Sequence, residues 1–237
     1  MFSRGPIQTC TGRGVSIAVI DSGVNPDHPH VIPVSGGFHI SATGELDEDF
    51  LDRNGHGTAV TGVIREKAPD SCIYAIKIFN RRLTTSVANM IKAIELAVEK
   101  GMSIINLSLG TRNSAHVEKL SQAVLLASQK NVAIVSAREV NGVSLLPGCL
   151  PGVISVIGDL DIRRDRYRAE MCNREPVFVA SQYPRDIPGL SRDLNFSGIS
   201  FAVANMTGFA ARIREAHPSI SVEKLRQFLV EGAGLMQ

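Results

Sequence analysis

Short apolar runs rich in β-branched residues alternate along this chain with longer stretches in which apolar residues recur every three or four positions. The runs predict strands and the longer stretches predict helices. Predicted strands cover residues 15–20, 72–79, 103–109, 132–137 and 153–158, and predicted helices cover residues 57–66, 85–100, 114–130, 198–216 and 221–230. Runs that are apolar throughout are typical of strands buried on both faces, and helices between such strands favour parallel pairing. We therefore expect an α/β fold of three layers, in which helices cover both faces of a mainly parallel β-sheet.

One part of the chain shows neither the apolar runs of strands nor the three- to four-residue periodicity of helices. Residues 159–195 are rich in Arg, Asp and Pro, and we assign them no helix or strand. No internal repeat, low-complexity segment or linker divides the chain. Because a single domain commonly reaches this length, we expect residues 1–237 to form one domain.

The charge of the chain is nearly balanced, with 25 Lys and Arg against 23 Asp and Glu and a formal net charge of +2. Proteins that bind nucleic acid or anionic membrane surfaces usually carry a basic excess, which this chain lacks. No apolar run approaches the ~18 residues that a membrane span needs. We therefore expect neither nucleic acid nor a membrane as a partner.

The first residues and the cysteines indicate a compartment. The segment before residue 15 has no basic stretch followed by an apolar one, so we expect a cytoplasmic protein with no signal peptide and no long pro-segment. The cysteines lie far apart without any CxxC pair, which predicts free thiols and no zinc site. These cysteines are Cys10, Cys72, Cys149 and Cys172.

Three polar side chains lie where predicted strands end or helices begin. Asp21 follows the first strand, His56 lies between two glycines before a helix, and Ser200 opens the apolar helix near the C-terminus. Functional groups gather at such places in an open parallel sheet. Each residue alone has an ordinary structural role, as an Asx turn, a loop residue or an N-cap. Their combination is what indicates a site.

The sequence around these residues resembles the active-site motifs of the subtilisin-like serine proteases. Residues 20–24, 54–58 and 198–202 read IDSGV, NGHGT and GISFA, in that family's chain order of Asp, His and Ser. Further matches are DHP at 27–29, AIK at 75–77, INLSLG at 105–110 and VISV at 153–156. The resemblance extends over nearly the whole chain and implies a subtilisin-like fold.

The resemblance also implies a role for each of the three residues. Ser200 would be the nucleophile, and His56 would be the base that removes its proton. Asp21 would orient the imidazole and stabilise its protonated form. The chain would then be a serine endopeptidase that hydrolyses a peptide bond through an acyl-enzyme, with no cofactor.

The sequence departs from the family at the oxyanion hole, where the family has an Asn side chain as a donor. Residues 135–142 read VSAREVNG, and an ungapped match places Val140 in the Asn position. A small shift of the loop would let the Asn141 side chain donate a hydrogen bond to the oxyanion. Alternatively, Glu139 could serve when it is protonated or replaced by a water. In the third case, this side-chain donor is missing. The backbone amide of Ser200 would be another donor, at the N-terminus of its helix. Loss of one donor costs roughly 100- to 1000-fold in turnover, a figure that comes from subtilisin itself.

The resemblance further implies how a substrate binds. Ser108, Leu109 and Gly110 match the family's strand that pairs with an extended peptide, main chain to main chain. In size and expected compartment the chain resembles small subtilases that remove a leader peptide during the biogenesis of quinohemoprotein amine dehydrogenase. That likeness implies narrow-specificity maturation of a peptide or small protein subunit, such as the γ subunit of that enzyme. A protein of a maturation complex would then be a further partner.

Two other function classes remain open. A non-catalytic peptide-binding module would account for the altered Asn segment, although binding alone does not require all three residues of the triad. A transpeptidase or macrocyclase would use the same triad but would let an amine, in place of water, take the acyl group.

Two charged segments have ordinary explanations. The acidic residues between 45 and 52 could hold Ca²⁺ only if their carboxylates converged, so we expect a solvated loop and no metal. The run RRDRYR at 163–168 is the densest positive segment. We expect it to be a solvated loop, with recognition of an acidic substrate or a partner protein as the alternative.

Overall fold

The computed structural model describes residues 9–79, 82–187, 189, 191 and 194–233. The strands of this part of the chain are β1 (Ser16–Asp21), β2 (Gly36–Ile40), β3 (Leu46–Asp47), β4 (Cys72–Lys77), β5 (Ile104–Leu107), β6 (Ala133–Ala137), β7 (Glu139–Val140), β8 (Val143–Ser144), β9 (Ile154–Asp159), β10 (Tyr167–Cys172) and β11 (Glu175–Ser181). The helices are α1 (His56–Lys67), α2 (Val87–Glu99), α3 (Val117–Gln129), α4 (Ile199–Ala216) and α5 (Val222–Ala233), with a 3₁₀ turn at Ser114–His116 before α3.

The strands form a nine-stranded sheet in the order β10-β11-β9-β6-β5-β1-β4-β2-β3, with β7 and β8 paired separately. Every pairing inside the large sheet is parallel except those of the two edge strands, β3 on β2 and β10 on β11. The carboxyl ends of the inner strands therefore lie along one edge of the sheet. This confirms the predicted mainly parallel sheet.

The helices cover both faces of the sheet because the inner strands are apolar on both faces. In β1, Ile17 and Val19 pack into the core formed with α1, α4 and α5. Ala18 and Ile20 point the opposite way, into the core formed with α2 and α3. Alternate residues of a strand face opposite sides, so a continuous apolar run serves two cores at once. The predicted three-layer α/β fold is confirmed.

The ends of the helices follow local signals. The side chain of Ser86 accepts a hydrogen bond from the N–H of Asn89 at 3.1 Å and caps α2, which ends just before Gly101 in the left-handed region at φ 67°. Ser221 accepts from the N–H of Lys224 at 3.1 Å and caps α5, as its position in the sequence predicts.

The sequence patterns give no assignment to the edge strands and the short hairpins, nor to β11, an inner strand whose residues 177–181 are all buried. Within residues 159–195, β10 and β11 pair as an antiparallel hairpin. Strand β10 lies at the sheet edge and exposes Arg168, Glu170 and Met171, so it lacks the apolar run that identifies the inner strands. The short strands β2, β3, β7 and β8 likewise carry too few buried residues to show a period.

Two further features concern the described residues as a whole. The four cysteines are free thiols, as predicted. None of the helices in the described ranges combines the length and hydrophobicity needed to cross a membrane.

Candidate active site

Asp21 is the last residue of β1, and its side chain is fully buried. A buried carboxylate requires hydrogen-bond donors, and the structure supplies them to both oxygens. Oδ1 accepts from Nδ1 of His56 at 2.7 Å and from the N–H of Ser22 at 2.7 Å. Oδ2 accepts from the hydroxyl of Ser108 at 3.1 Å. Asp21 is thereby fixed between the end of β5 and the start of α1.

His56 is the first residue of α1, and its side chain is about three quarters buried. Because Nδ1 donates to Asp21, Nε2 of the neutral ring carries no proton and is free to act as a base. Burial by itself would lower the pKa of His56. The hydrogen bond that His56 donates to Asp21 and the negative charges of Asp21 and Asp52 outweigh burial, so the pKa of His56 is raised above its ordinary value of 6.5.

Asp52 organises the chain around the start of α1. Its Oδ1 accepts from the hydroxyl of Ser22 at 3.0 Å and from the N–H groups of Asn54 and Gly55 at 2.8 Å each. Its Oδ2 accepts from the N–H of Thr58 at 2.9 Å and from the Thr58 hydroxyl at 2.6 Å. Burial raises the pKa of Asp52, but the hydrogen bonds from Thr58, Gly55 and Asn54 outweigh burial and lower it.

In the sequence, Asp52 belongs to the acidic segment between residues 45 and 52 and has no predicted part in the site. A local signal was present, because an Asp two residues before Asn-Gly is typical of an Asx turn. Here that turn leads directly into the helix that begins at His56. The link from Asp52 to Ser22, next to Asp21, is a contact that only the folded chain reveals.

Gly57 is required by the close approach of α1 to the end of β1. A Cβ atom at this position would lie 2.1 Å from the carbonyl oxygen of Gly23 and 3.1 Å from Cβ of Asp21. The N–H of Gly57 donates to the hydroxyl of Ser22 at 2.9 Å. The glycine after the histidine therefore sets the distance between the imidazole and the aspartate.

Ser200 is the second residue of α4 and is half-buried. The chain before α4 is anchored by a hydrogen bond from the N–H of Gly198 to the carbonyl of Gln182 at 2.9 Å. Helix α4 packs against α1, and the ring of Phe201 lies 6.4 Å from the ring of His56 between centroids. The fold therefore brings the first turns of the two helices that carry His56 and Ser200 together.

His56 and Ser200, the predicted base and nucleophile, are not hydrogen-bonded to each other in the described part of the chain. Among the hydrogen bonds of the described residues, His56 bonds to Asp21 and none joins it to Ser200. Such bonds are often long before a substrate binds and shorten in the reacting complex.

Asn141 lies at the tip of the hairpin formed by β7 and β8. Asn141 and Gly142 have φ values of 53° and 75°, the pattern of a two-residue type I′ turn. The Asn-Gly pair is the local signal for this turn, whereas the prediction for this segment is a loop. Asn141 is exposed, Glu139 pairs with Ser144 across the hairpin, and no hydrogen bond joins either to Ser200 within the described residues. The roles of Asn141 and Glu139 in an oxyanion hole stay predictions.

Ser108, Leu109 and Gly110 continue directly from β5, in a half-buried position. The Ser108 hydroxyl donates to Asp21, so this residue helps to hold the aspartate in addition to its predicted place beside the substrate. In the described part of the chain, no backbone hydrogen bond uses the three residues, whereas Thr111 pairs with Leu146 through two bonds of 2.9 Å. Their main chain is available to pair with a peptide.

The acidic residues between 45 and 52 do not converge. Asp47 pairs with His39 at 2.9 Å and Asp49 with Arg53 at 2.7 Å, while Asp52 holds the start of α1. The described residues contain no cluster of three or more His, Cys, Asp or Glu side chains placed to hold a metal ion.

The expectation of a wholly solvated loop at 163–168 is wrong for part of the run. The side chain of Arg164 is only 10% exposed and pairs with Glu66 at 2.6 Å. Tyr167 is the first residue of β10 and is buried. Its hydroxyl donates a hydrogen bond to the carbonyl of Leu229 at 2.9 Å. Arg163 does stay on the surface, paired with Asp165. The inward residues anchor the edge strand to the rest of the fold.

Comparison with known proteins agrees with this geometry. A model of the Subtilase family matches residues 12–159. An intracellular serine protease of Paenibacillus polymyxa is 33% identical over 224 residues, which cover 86% of this chain and 68% of that protein. Subtilisin Savinase of Lederbergia lenta is 31% identical over 236 residues, which cover 92% of this chain and 83% of that protein.

Other relatives are longer, and a solved structure shares the fold. A thermostable alkaline protease of Halalkalibacterium halodurans is 28% identical over 235 residues, and this chain spans 61% of its length. The crystal structure of a cold adapted subtilisin-like serine proteinase has a TM-score of 0.74, covering 94% of this chain and 83% of that chain at 22% identity. The family model covers more than half of the chain, and a relative above 30% identity aligns with most of it, so the chain belongs to the Subtilase family.

Proposed function

We propose that this protein is a serine endopeptidase in which Asp21, His56 and Ser200 form the catalytic triad. The observation that carries this proposal is the hydrogen bond of 2.7 Å between buried Asp21 and Nδ1 of His56, at the start of a helix packed against the helix of Ser200. That arrangement leaves Nε2 of His56 without a proton, and the His56 ring lies 6.4 Å between centroids from the ring of Phe201 in α4. Membership of the Subtilase family supports the same reading.

The proposed reaction passes through an acyl-enzyme. The hydroxyl oxygen of Ser200 attacks the carbonyl carbon of the scissile bond while Nε2 of His56 takes the hydroxyl proton. The C–N bond then breaks, and His56 gives the proton to the departing amine. Water attacks the acyl group by the same route and releases the acid. Asp21 keeps the imidazole oriented and stabilises it while it carries the extra proton.

The substrate is a peptide or protein bound in extended form. The unpaired main chain of Ser108, Leu109 and Gly110 supports pairing on the acyl side of the scissile bond, by addition of a strand beside the end of β5. Main-chain pairing binds many sequences, so the choice of substrate depends on side-chain pockets.

Labelling with a fluorophosphonate tests the triad. We expect one adduct on Ser200, located by mass spectrometry, with no adduct in Ser200→Ala and a labelling rate at least about 100-fold lower in His56→Ala. Ser128→Ala, an exposed serine near the end of α3, is the matched control and should label like the unmodified protein. A folded protein without an adduct, or an adduct independent of His56, would refute the proposal.

We further propose narrow-specificity maturation in the cytoplasm, with removal of a leader peptide from a peptide or small protein subunit. The γ subunit precursor of quinohemoprotein amine dehydrogenase is the specific candidate, on the basis of the likeness in size to the subtilases of that pathway. A relative named as an intracellular serine protease supports the compartment.

Mass spectrometry of the precursor after incubation tests this finer proposal. We expect a single cut at the leader junction, while an unfolded generic protein such as casein stays largely intact. Rapid digestion of casein together with an intact precursor would contradict narrow specificity and leave the triad untouched. If cleavage requires a second protein of the maturation complex, adding that protein should restore the single cut.

One observation favours a second candidate function, a non-catalytic peptide-binding module. Within the described residues, no hydrogen bond joins Asn141 or Glu139 to Ser200, and Asn141 lies exposed at the tip of the β7–β8 hairpin. For that candidate, Ser200→Ala would bind and function in cells as well as the unmodified protein, and fluorophosphonate would give no adduct.

A further inference from the structure

A cavity of about 360 Å³ lies at the C-terminal end of α1, at the other end of that helix from His56. Its described lining residues are all charged and come from the end of α1, the turn before β10 and the segment after β11. These residues are Glu66, Lys67, Arg163, Arg164, Asp165 and Asp186. None of them belongs to the proposed triad or to the segment 108–110.

Lys67 is the last residue of α1, and its side chain is only 7% exposed. Its aliphatic part fits against α4 because position 208 has no side chain: a Cβ atom on Gly208 would lie 2.6 Å from Cβ of Lys67. The Nζ atom lies 5.6 Å from the centre of the Phe209 ring. The amine is thus held between two packed helices, at the wall of the cavity.

Two buried donors of the lining lack acceptors. The Nζ atom of Lys67 lies 3.8 Å from Oε1 of Glu66, beyond hydrogen-bond distance, and no hydrogen bond among the described residues uses it. The side chain of Arg164 is 10% exposed, and its buried Nε has no partner in the part of the chain that the structure describes. Unpaired buried donors are unfavourable, so an acceptor placed in the cavity would be bound favourably.

The carboxylates of the lining, in contrast, already have cationic partners. Glu66 accepts from Arg164 at 2.6 Å, and Asp165 accepts from Arg163 at 2.6 Å. Asp186 lies 3.5 Å from Arg164. The groups left without partners are therefore donors, which need oxygen acceptors.

The surroundings of Lys67 also favour its neutral form. Burial, and next the charge of Arg164, lower the pKa of Lys67 from its ordinary value of 10.5 to about 8. Arg212 of α4 acts in the same direction, while Glu66 and Asp165 oppose it. At about pH 7, roughly one tenth of the amine is therefore unprotonated and has the lone pair that a nucleophile needs.

We propose that Lys67 is a site of reversible carbamate formation with carbon dioxide. The lone pair of Nζ attacks the carbon atom, an N–C bond forms, one C=O electron pair moves to its oxygen, and the nitrogen releases a proton. The product is a lysine carbamate, whose oxygens are acceptors for the unpaired Nε of Arg164. The step needs no oxidant or reductant, and the inference does not depend on the proposed peptidase activity.

Carbon dioxide suits this cavity better than a free anion does. An anion would lose its water shell and would approach the carboxylates of Glu66, Asp165 and Asp186. Carbon dioxide is small and uncharged, and the negative charge arises only after the bond to Nζ has formed. Arg164 and Arg212, whose charges disfavour the ammonium form, would attract the carbamate.

Chemical trapping tests the proposal on the unmodified protein. The protein is equilibrated with isotopically labelled carbon dioxide and treated with triethyloxonium, which converts a carbamate into a stable ethyl ester that peptide mass spectrometry locates. We expect at least about 10-fold more adduct on Lys67 than on Lys119, an exposed lysine of α3, because the lowered pKa of Lys67 leaves more of its amine neutral. At constant carbon dioxide pressure the adduct should increase with pH, since carbamate formation requires the neutral amine and releases a proton.

Variants assign the adduct to the cavity. In Arg164→Gln the adduct on Lys67 should fall by about 3-fold or more, because a donor is lost and the pKa of Lys67 is lowered less. Arg166→Gln, an exposed arginine of the same turn outside the lining, is the matched control and should keep the adduct. Carbon dioxide should raise the melting temperature of the unmodified protein and of Lys119→Met, but not that of Lys67→Met.

Sodium formate and inorganic phosphate, at matched ionic strength, separate this proposal from binding of a free anion. If either one raises the melting temperature as much as carbon dioxide does while no adduct is trapped on Lys67, the cavity binds an anion without a covalent bond and the proposal is overturned. Adducts spread evenly over the exposed lysines, or a folded protein without an adduct on Lys67, would overturn it too. Fluorophosphonate labelling of Ser200 is measured separately, so neither proposal decides the other.

Discussion

At the scale of single residues, the site uses two carboxylates for different tasks. Asp21 is fully buried and bonds to the imidazole of His56. Asp52 does not bond to the imidazole but fixes the backbone that carries it, through Asn54, Gly55 and Thr58. Its negative charge also raises the pKa of His56. The position and the basicity of the histidine therefore depend partly on a residue outside the proposed triad.

This division of tasks predicts the pH profile of the enzyme. His56 must be neutral to act as a base, and its pKa is raised above 6.5, so kcat/KM should rise with pH along an acidic limb centred above 6.5. In Asp52→Asn the charge that helps raise the pKa of His56 is removed, so the limb should move to lower pH. The shift would be measured as kcat/KM on a peptide ester from about pH 5 to about pH 9, a range that includes the ordinary pKa of histidine.

Asp161→Asn, in an exposed turn after β9, is the control for that experiment and should leave the limb in place. A limb that stays unchanged in Asp52→Asn would show that this carboxylate does not act on the base. Stability gives a second readout, because loss of charged hydrogen bonds should lower the free energy of unfolding by roughly 1–3 kcal/mol at neutral pH. The pKa of Asp52 is lowered in the folded state, so its contribution is present above pH 3.8 and is lost as the pH falls further, and the two proteins should converge in acid.

At the scale of elements, the start of α1 is the most constrained part of the site. The helix begins against the end of β1, and only a residue without a side chain fits at position 57. The same helix is open at Gly62, where a Cβ atom would have no neighbour closer than 3.8 Å. Helix α1 therefore contains one glycine, Gly57, that a close backbone contact requires, and a second, Gly62, that no contact requires.

Two alanine substitutions should separate these cases. Gly57→Ala should lower the free energy of unfolding by about 3 kcal/mol and reduce fluorophosphonate labelling, because the new Cβ meets the backbone of Gly23. Gly62→Ala should leave the free energy of unfolding unchanged or raise it by up to about 1 kcal/mol, because alanine favours the helix. Chemical denaturation followed by circular dichroism measures both. Equal destabilisation by the two substitutions would contradict the steric argument.

At the scale of the whole molecule, one sheet joins two apolar cores. The inner strands contribute to both, as Ile17 and Ala18 show on adjacent residues of β1. The edge strands β3 and β10 have one neighbouring strand each and expose polar side chains. Resistance to local opening should therefore fall from the middle of the sheet toward its edges.

Native-state hydrogen exchange tests this gradient. Amides of β1 and β5 should exchange only through global unfolding, since these strands are bonded on both sides and buried on both faces. Amides of β3, and the outward-facing amides of β10, should exchange orders of magnitude faster. Protection in β3 equal to that in β1 would show that the edge unfolds only together with the core.

Five strands of the sheet (β1, β4, β5, β6 and β9), the helices and the identity of the triad candidates could be predicted because their signals are local. Continuous apolar runs indicate buried strands, helical periodicity indicates the helices, and the segments around Asp21, His56 and Ser200 carry the family motifs. The hairpin at 139–144 and strand β10 could not be assigned, because edge strands and two-residue strands bury few side chains. Arg164 was misjudged for a related reason, since a charged residue is buried only when the fold supplies a partner such as Glu66.

By itself, the sequence determined the three-layer α/β architecture and the order of the motif residues along the chain, since hydrophobic periodicity and local motifs are properties of neighbouring residues. Only the tertiary structure decided that Asp52 bonds to Ser22, that Ser108 bonds to Asp21, and that Lys67 lines a cavity of charged side chains. Each of these depends on contacts between segments far apart in the chain. Such contacts arise from packing and from the pairing of buried polar groups, which no local pattern encodes.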